Sequence, residues 1–368
     1  MPNGADVLVV GGGPAGAATA RALARAGASV VVVRPGTLAG EAWQASAGML
    51  AAQIEPGPED PLFKLGVAGR AFYRREAEAL RETTGIDIGL RLTGILQVAL
   101  DEESVARFRA KVAWQRQQAQ QAEWLEADDV AEQWPWLTAR LGAFWAPEDG
   151  TLDPRTLVGA LLADAVAAGA RVVDDRITSI TREGTRLQGA TGVSGSYAAA
   201  QVVLAAGAWS GRIANLPRPL SVEPVRGQMA AFPWDGPSAG MPVYGRHCYL
   251  LQRGGELWAG STMEHAGFTV GTTDAALADI TERVSEIYPA ITTRAPLRTW
   301  AGLRPGTPDG RPIIGQEPRL PGLWYASGYG RNGILLAGIS GELVAQGIAG
   351  QPIPDELAAF RPGRFWSW

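Results

Sequence analysis

The first apolar run of the chain is Val7-Leu8-Val9-Val10, and four valines, Val30-Val31-Val32-Val33, make the second. Continuous branched runs of this length suit strands of a parallel sheet covered on both faces. Between them residues 14–26 are small and largely apolar, with Gly27 as a stop, so residues 7–33 predict a strand, a helix and a second strand. Residues 61–84, ended by Gly85, and residues 102–121 predict two longer helices, the second polar enough to lie on the surface. A hairpin over residues 90–98 is predicted between them. Asp153-Pro154 reads as an N-cap followed by a proline in the first turn, opening an alanine-rich helix that Gly169 closes before the strand Arg171-Val172-Val173.

Short alternating segments over residues 177–196 predict a small antiparallel insertion, after which Gln201-Val202-Val203-Leu204 returns to a buried strand. Residues 223–303 follow a period near two, with one helix at 273–288. The strand Leu323-Trp324-Tyr325-Ala326 and a helix over 333–348 close the pattern. Strand–helix signals thus stand at the start, middle and end of the chain. The simplest arrangement is an α/β fold with a discontinuous Rossmann-like nucleotide domain (residues 1–84, 148–218 and 301–368) and a mixed, largely antiparallel-sheet substrate domain (85–147 and 219–300). No internal repeat or low-complexity tract stands out, and the glutamines near residue 117 read as a solvated helix face.

At 368 residues, with 46% hydrophobic content, the chain is long enough for two sizeable cores. A net charge of −4 argues against nucleic acid as a partner. One cysteine, Cys248, and two histidines, His247 and His265, are too few for a Cys/His zinc site or an iron–sulfur cluster. Redox chemistry would need an organic cofactor. The beginning, Met1-Pro2-Asn3-Gly4-Ala5-Asp6, lacks the basic flank of a signal peptide, and no apolar window is long enough for a membrane span. The expectation is a cytoplasmic protein with no membrane contact.

Gly11, Gly13 and Gly16 form G-x-G-x-x-G between the first strand and the first helix. In that position the first glycine permits the tight turn, the second lets a pyrophosphate approach the backbone, and the third brings helix and sheet together. Pro14 and Ala15 then open the helix whose amides face the anion. The end of the second strand, where an acidic residue usually accepts from the ribose hydroxyls, carries Arg34 instead. Arginine accepts no hydrogen bond. It could meet a 2′-phosphate, stack on adenine or point to solvent, so the fingerprint leaves NADP open beside FAD.

Longer motifs narrow the choice. Val203-Leu204-Ala205-Ala206-Gly207-Ala208-Trp209-Ser210 resembles the second cofactor-contacting strand of FAD-dependent amine oxidases. Trp300-Ala301-Gly302-Leu303-Arg304-Pro305-Gly306-Thr307-Pro308-Asp309-Gly310 and Gly328-Tyr329-Gly330-Arg331-Asn332-Gly333-Ile334-Leu335-Leu336-Ala337 resemble the glycine-oxidase branch of the D-amino-acid oxidase family, as do Ser46-Ala47-Gly48-Met49-Leu50, Pro224-Val225-Arg226-Gly227 and His247-Cys248-Tyr249. The resemblance runs over nearly the whole chain, weakest at 101–150 and 181–200, and favours FAD over NADP.

The resemblance implies noncovalent FAD, with its pyrophosphate on the first helix and its ring system at the domain junction. It is then met by Ser46, Ala47, Gly48, Met49, Ala206, Gly207, Trp209, Gly328, Gly330, Arg331, Asn332, Gly333 and Ile334, and by Arg304. It also implies that Arg304 pairs with a substrate carboxylate, a task that suits the planar guanidinium fork. Tyr249 meets the same carboxylate, Arg331 lies next to substrate or flavin unless it merely neutralises a loop carboxylate, and His247, two residues from Tyr249 on one strand, supports them. Cys248 would face the core. Met263 occupies the place of the oxygen-activating lysine of the sarcosine-oxidase branch. The two lysines, Lys64 and Lys111, lie on helices away from the site.

The implied reaction is oxidation of glycine, and also of sarcosine and small D-amino acids, with dioxygen as acceptor. Its products are an imine that becomes glyoxylate, ammonia and hydrogen peroxide, and the setting is thiamine thiazole synthesis by a homotetramer. Rival readings are a related D-amino-acid dehydrogenase and a flavin-binding subunit without independent activity.

Overall fold

The computed structural model describes residues 4–36, 38–139, 141–237 and 240–366. Met1 to Asn3, read above for a leader, lie outside the described residues. Two eight-stranded sheets dominate. The first runs in the order Ile313–Gln316, Leu323–Ser327, Ser196–Leu204, Ala5–Val10, Val30–Arg34, Arg171–Asp174. Along this order the pairings are parallel except at the Ile313–Gln316 edge. The antiparallel strands Ile177–Glu183 and Arg186–Gly192 hang from the near end of Ser196–Leu204, so the insertion and the buried strand expected after it are continuous.

The valine runs explain why this sheet is covered twice. Val7, Val9, Val30 and Val32 pack into one apolar cluster, while Leu8, Val10, Val31 and Val33 pack into another on the opposite face. That is the period-two alternation of a strand with both sides dry. The helices Pro14–Arg25, Pro154–Ala167, Leu62–Thr84 and Gly333–Ile348 contribute to the first cluster. Two of them begin or end on a local signal. Asp153 accepts from the amides of Arg155 and Thr156, and Gly85 takes a left-handed φ of 71° to close Leu62–Thr84.

The second sheet runs Arg298–Gly306, Glu223–Pro233, Glu256–Gly260, Tyr249–Arg253, Val243–Tyr244, Ile95–Val98, Ala143–Ala146, Glu123–Leu125. It is antiparallel apart from one pairing, Val243–Tyr244 with Ile95–Val98. The helix Asp274–Ser285 packs on it with Thr273 as a side-chain N-cap. The strand Arg298–Gly306 passes uncut through the boundary expected at residue 300, because all nine of its residues pair with Glu223–Pro233.

Two expectations need correction. Residues 90–98 form no hairpin: Arg91 bridges Thr151, and only Ile95–Val98 is a strand, with both of its partners distant in sequence. The apolar alternation there was real, but the pairing is non-local. The polar helix ends at Gln117, four residues early, and Ala119 turns the chain with a φ of 56°. It is not wholly superficial either, since Phe108, Val112 and Gln115 are buried. Among the described residues no helix is long and apolar enough to cross a membrane, and no His/Cys/Asp/Glu group could hold a metal.

Candidate active site

A cavity of about 530 Å³ opens beside the first helix and extends to the second sheet, a size usual for cofactor and ligand pockets. At one end stands the glycine turn, whose three glycines do different work. Gly11 has a φ of 105°, and a Cβ there would lie 2.4 Å from the Ala205 carbonyl oxygen. Gly16 is off the cavity wall; a Cβ there would lie 2.0 Å from the Gly11 oxygen, so it brings helix and turn together. Gly13, the N-cap, is open on the cavity side, with the Trp43 ring as its nearest neighbour at 3.5 Å. Pro14 and Ala15 follow on the wall. No side chain caps this helix and no acid stands in its first turn. Its amides and positive dipole end are thus left for an anion.

Arg34 also lines the cavity, in a way the sequence left open. Its stem crosses Gly12, where a Cβ would lie 2.4 Å from the Arg34 Cδ. Its guanidinium donates to the Gly36 carbonyl at 3.1 Å. Part of its fork is therefore engaged with its own turn.

The other end is chemically different. Arg304 projects from Arg298–Gly306 and donates from one amino group to the Thr262 carbonyl (3.0 Å) and from the other to Ser261 Oγ (2.6 Å). Room for this fork comes from Gly227 on the paired strand, where a Cβ would overlap the guanidinium at 2.2 Å. Burial lowers the Arg304 pKa, yet a guanidinium stays charged at any physiological pH. Tyr249 lies on the same wall with its hydroxyl 3.1 Å from Met229 Sδ. Burial raises its pKa, with Arg304 and Arg331 opposing, so the phenol stays a protonated donor. Arg331 faces the cavity but is paired with Glu55 at 2.8 Å. The cavity therefore joins an anion-receiving helix end to a pocket with a fixed guanidinium and a phenol.

The family described as FAD dependent oxidoreductase matches residues 6–347. The chain belongs to this family. Glycine oxidase from Geobacillus kaustophilus is 33% identical over 365 residues, covering 98% of this chain and 97% of that protein. The crystal structure of a glycine oxidase from the same organism aligns with a TM-score of 0.91 over 98% of this chain and 99% of that one. A bifunctional protein ThiO/ThiG from Synechocystis is 31% identical over 374 residues, covering 99% of this chain and 55% of its own length.

The other expected residues of this FAD-dependent oxidoreductase divide. Ser46, Ala47, Met49, Ala206, Gly207, Trp209, Gly330, Gly333 and Ile334 line the cavity. Gly48, Gly328 and Asn332 do not. Gly48 has a φ of 75° and lies against the Leu152 carbonyl, Gly328 has a φ of 74° and lies against Thr307, and Asn332 stands at the N-cap position of Gly333–Ile348 without a side-chain cap bond. These three shape the backbone behind the wall.

His247 is a correction. It sits in an exposed turn with a φ of 58°, one residue outside the buried core position Cys248 and before the strand that begins at Tyr249, so strand alternation does not apply to it. Met263 is 56% exposed at the rim, its sulfur 3.4 Å from an Arg304 amino group. Cys248 is buried as expected, and burial pushes its thiol up to about 12.

Sequence reasoning missed Ser261, Met229, Glu55 and Trp43, and it held Gly227 only as part of a resembling motif, without a role. A glycine inside a strand was a usable signal for Gly227. Glu55 had none, because its partner lies 276 residues away in the chain numbering. Lys111, placed away from the site, is off the cavity wall, but its ammonium donates to the carbonyl of Ile54, next to Glu55. Burial pulls that lysine down to about 8.

Proposed function

We propose that this protein is a glycine oxidase carrying noncovalent FAD, which oxidises glycine, and also sarcosine and small D-amino acids, to the imine. Hydrolysis gives glyoxylate and ammonia, and dioxygen becomes hydrogen peroxide. The product imine or glyoxylate would serve thiamine thiazole synthesis, as the names of the ThiO/ThiG relatives suggest. The observation that carries this reading is the presence, in one cavity, of the uncapped glycine turn and of the Arg304 fork beside the Tyr249 hydroxyl. Its residues fit the cofactor: Gly13 leaves backbone approach for a pyrophosphate at the uncapped helix N-terminus on the cavity wall, and Gly11 makes the tight turn before it.

FAD, when bound, supplies the two-electron acceptor for the hydride on the substrate Cα and returns those electrons to dioxygen. The chain supplies position. Arg304 holds the substrate carboxylate through its fork, and Ser261 and Thr262 keep that fork from rotating. Tyr249, kept protonated by burial, donates to the same carboxylate. With the carboxylate held at two points, Cα has one approach to the acceptor, which is the entropy advantage of an oriented pair. The N-terminus of Gly333–Ile348 has no side-chain cap and lies on the cavity wall, so it would offer positive potential to a cofactor that gains negative charge. No side-chain nucleophile is required.

The first-sheet segments form the FAD domain in this reading, and the second sheet forms the substrate domain. We place the enzyme in the cytoplasm as a homotetramer. Anaerobic addition of glycine, sarcosine, D-alanine and D-proline in turn to the purified yellow protein tests the reaction. Glycine should bleach the flavin absorbance, and admitted air should restore it with peroxide. A protein that binds FAD but is bleached by none of the four would overturn the reading.

A further inference from the structure

Residues 51–55 belong to no helix or strand, yet they carry Glu55 onto the cavity wall. Backbone groups in such a turn must find partners outside a helix or ladder, and here they come from side chains behind the wall. The Gln53 amide donates to Asp149 Oδ2 at 2.9 Å, and its carbonyl accepts from Gln115 Nε2 at 2.8 Å. The Gln53 side chain accepts from Arg70 and donates to Gln115 and to the Gln121 carbonyl. One residue on, the Ile54 carbonyl accepts from the Lys111 ammonium. One further, the Glu55 carboxylate stands 2.8 Å from Arg331, which also faces the cavity. Lys111 and Gln115 are four residues apart on Glu102–Gln117, so one face of that helix grips residues 53 and 54.

The grip depends on charge. Asp149 and Glu55 face Lys111 across the turn, Arg107 faces it from its own helix, and the ammonium lies 5.3 Å from the Phe144 ring centre. Behind them Arg70 pairs with Asp149 at 2.6 Å and with Glu148 at 3.0 Å, and Arg74 shares Glu148. Arg304 feels both Arg331 and Glu55, so a Glu55 carboxylate that left Arg331 would repel an anion held by Arg304 or compete with it. We propose that Lys111 is a positioning residue for the substrate pocket: through the Ile54 carbonyl its ammonium holds Glu55 on Arg331 and leaves Arg304 to the substrate carboxylate. This rests on the carboxylate role proposed above for Arg304. Burial pulls Lys111 down to about 8, against Asp149 and Glu55. Burial pushes Asp149 up to about 6, so Asp149 is ionised above neutrality, and it raises Tyr244 and Tyr249 as well. A rise in pH through about 8 therefore discharges Lys111 while Asp149 and the arginines keep their charge. The neutral amine can still donate to Ile54, but it no longer attracts Glu55.

The test is calorimetric titration of the full-length holoenzyme with acetate, a carboxylate that has no amine to titrate, from about pH 7 to about pH 9.5. The acetate Kd of the wild type should rise by roughly threefold or more as Lys111 loses its proton. Lys111→Arg, which stays charged, should hold Kd level over the same range, and Lys111→Met should start weak and stay level. Should either variant disturb the fold, Glu55→Gln, which cuts the link to Arg331 and leaves the buried network in place, must also remove the step. A wild-type Kd that stays within about twofold, or a step that persists in Lys111→Arg or Glu55→Gln, overturns the assignment. A holoenzyme that takes up no acetate at any pH would instead overturn the carboxylate site of Arg304, so the two failures are distinguishable.

Discussion

Arg304 is fixed before it meets a ligand: both amino groups are bonded, to Thr262 and Ser261, and the strand opposite is bare at Gly227 to admit them. A lysine in its place keeps the charge but has one compact ammonium that cannot span both oxygens of a carboxylate. Arg304→Lys should therefore lower kcat/KM for glycine by roughly 10- to 150-fold, the equivalent of one charge-assisted bond of about 1.5–3 kcal/mol, with FAD content unchanged. The informative comparison is an amine without a carboxylate, whose oxidation should hardly change. If glycine turnover survives the substitution, Arg304 does not hold the carboxylate.

At this scale a long motif pointed to Arg304 and a three-residue one to Tyr249, and both stand on the cavity wall. It failed where the answer depends on a local backbone turn or a side-chain direction. His247 is two residues from Tyr249, which would put both on one face of a strand, but its left-handed φ takes it out of the ladder. Arg34 occupies the expected position at the end of Val30–Arg34, yet its use is decided by Gly12 and Gly36.

Among the elements, the helix Pro14–Arg25 matters most, because its N-terminus receives the proposed diphosphate and its position is set by close approach to Gly333–Ile348. That approach depends on Gly341. A Cβ there would lie 2.6 Å from the Ala18 carbonyl carbon and 2.7 Å from the Thr19 nitrogen, both backbone atoms that cannot swing aside. Gly341→Ala must separate the two helices. Overpacking of this kind costs about 1–3 kcal/mol, so a lower melting temperature and weaker FAD binding are expected together. Gly195→Ala, with nothing within 4 Å of its Cβ, is the matched control and should change neither. A stable Gly341→Ala protein with native FAD affinity would show that the spacing of these helices does not set the turn.

The sequence revealed these helices because each carries its own start and stop, such as Asp153-Pro154 or Gly85. The segment at 90–98 was misread for the opposite reason. Its alternation marks a strand, but nothing local says that Ile95–Val98 pairs with Ala143–Ala146 and Val243–Tyr244.

For the whole molecule the consequence lies in how the cavity wall is divided. Gly11, Gly13 and Ala206 belong to the first-sheet side, whereas Gly227, Met229, Tyr249 and Ser261 belong to the second sheet or the turn that follows Glu256–Gly260. A dinucleotide with its diphosphate on the first helix must leave its flavin half against the second group. ADP, which lacks that half, can reach only the first. Ligand binding stabilises the states that bind it, by about 2.7 kcal/mol when the free ligand is a hundredfold above Kd. That energy suppresses every opening that would destroy the contacts. FAD should therefore slow amide exchange at the glycine turn and also along Glu223–Pro233 and Arg298–Gly306, while saturating ADP slows exchange at the turn alone. Exchange measured by mass spectrometry on the apoprotein, with each ligand at the same multiple of its Kd, separates the cases. Equal protection of both second-sheet strands by ADP would mean that they are stabilised through the protein and not by the flavin half, and the proposed orientation of the cofactor along the cavity would fall.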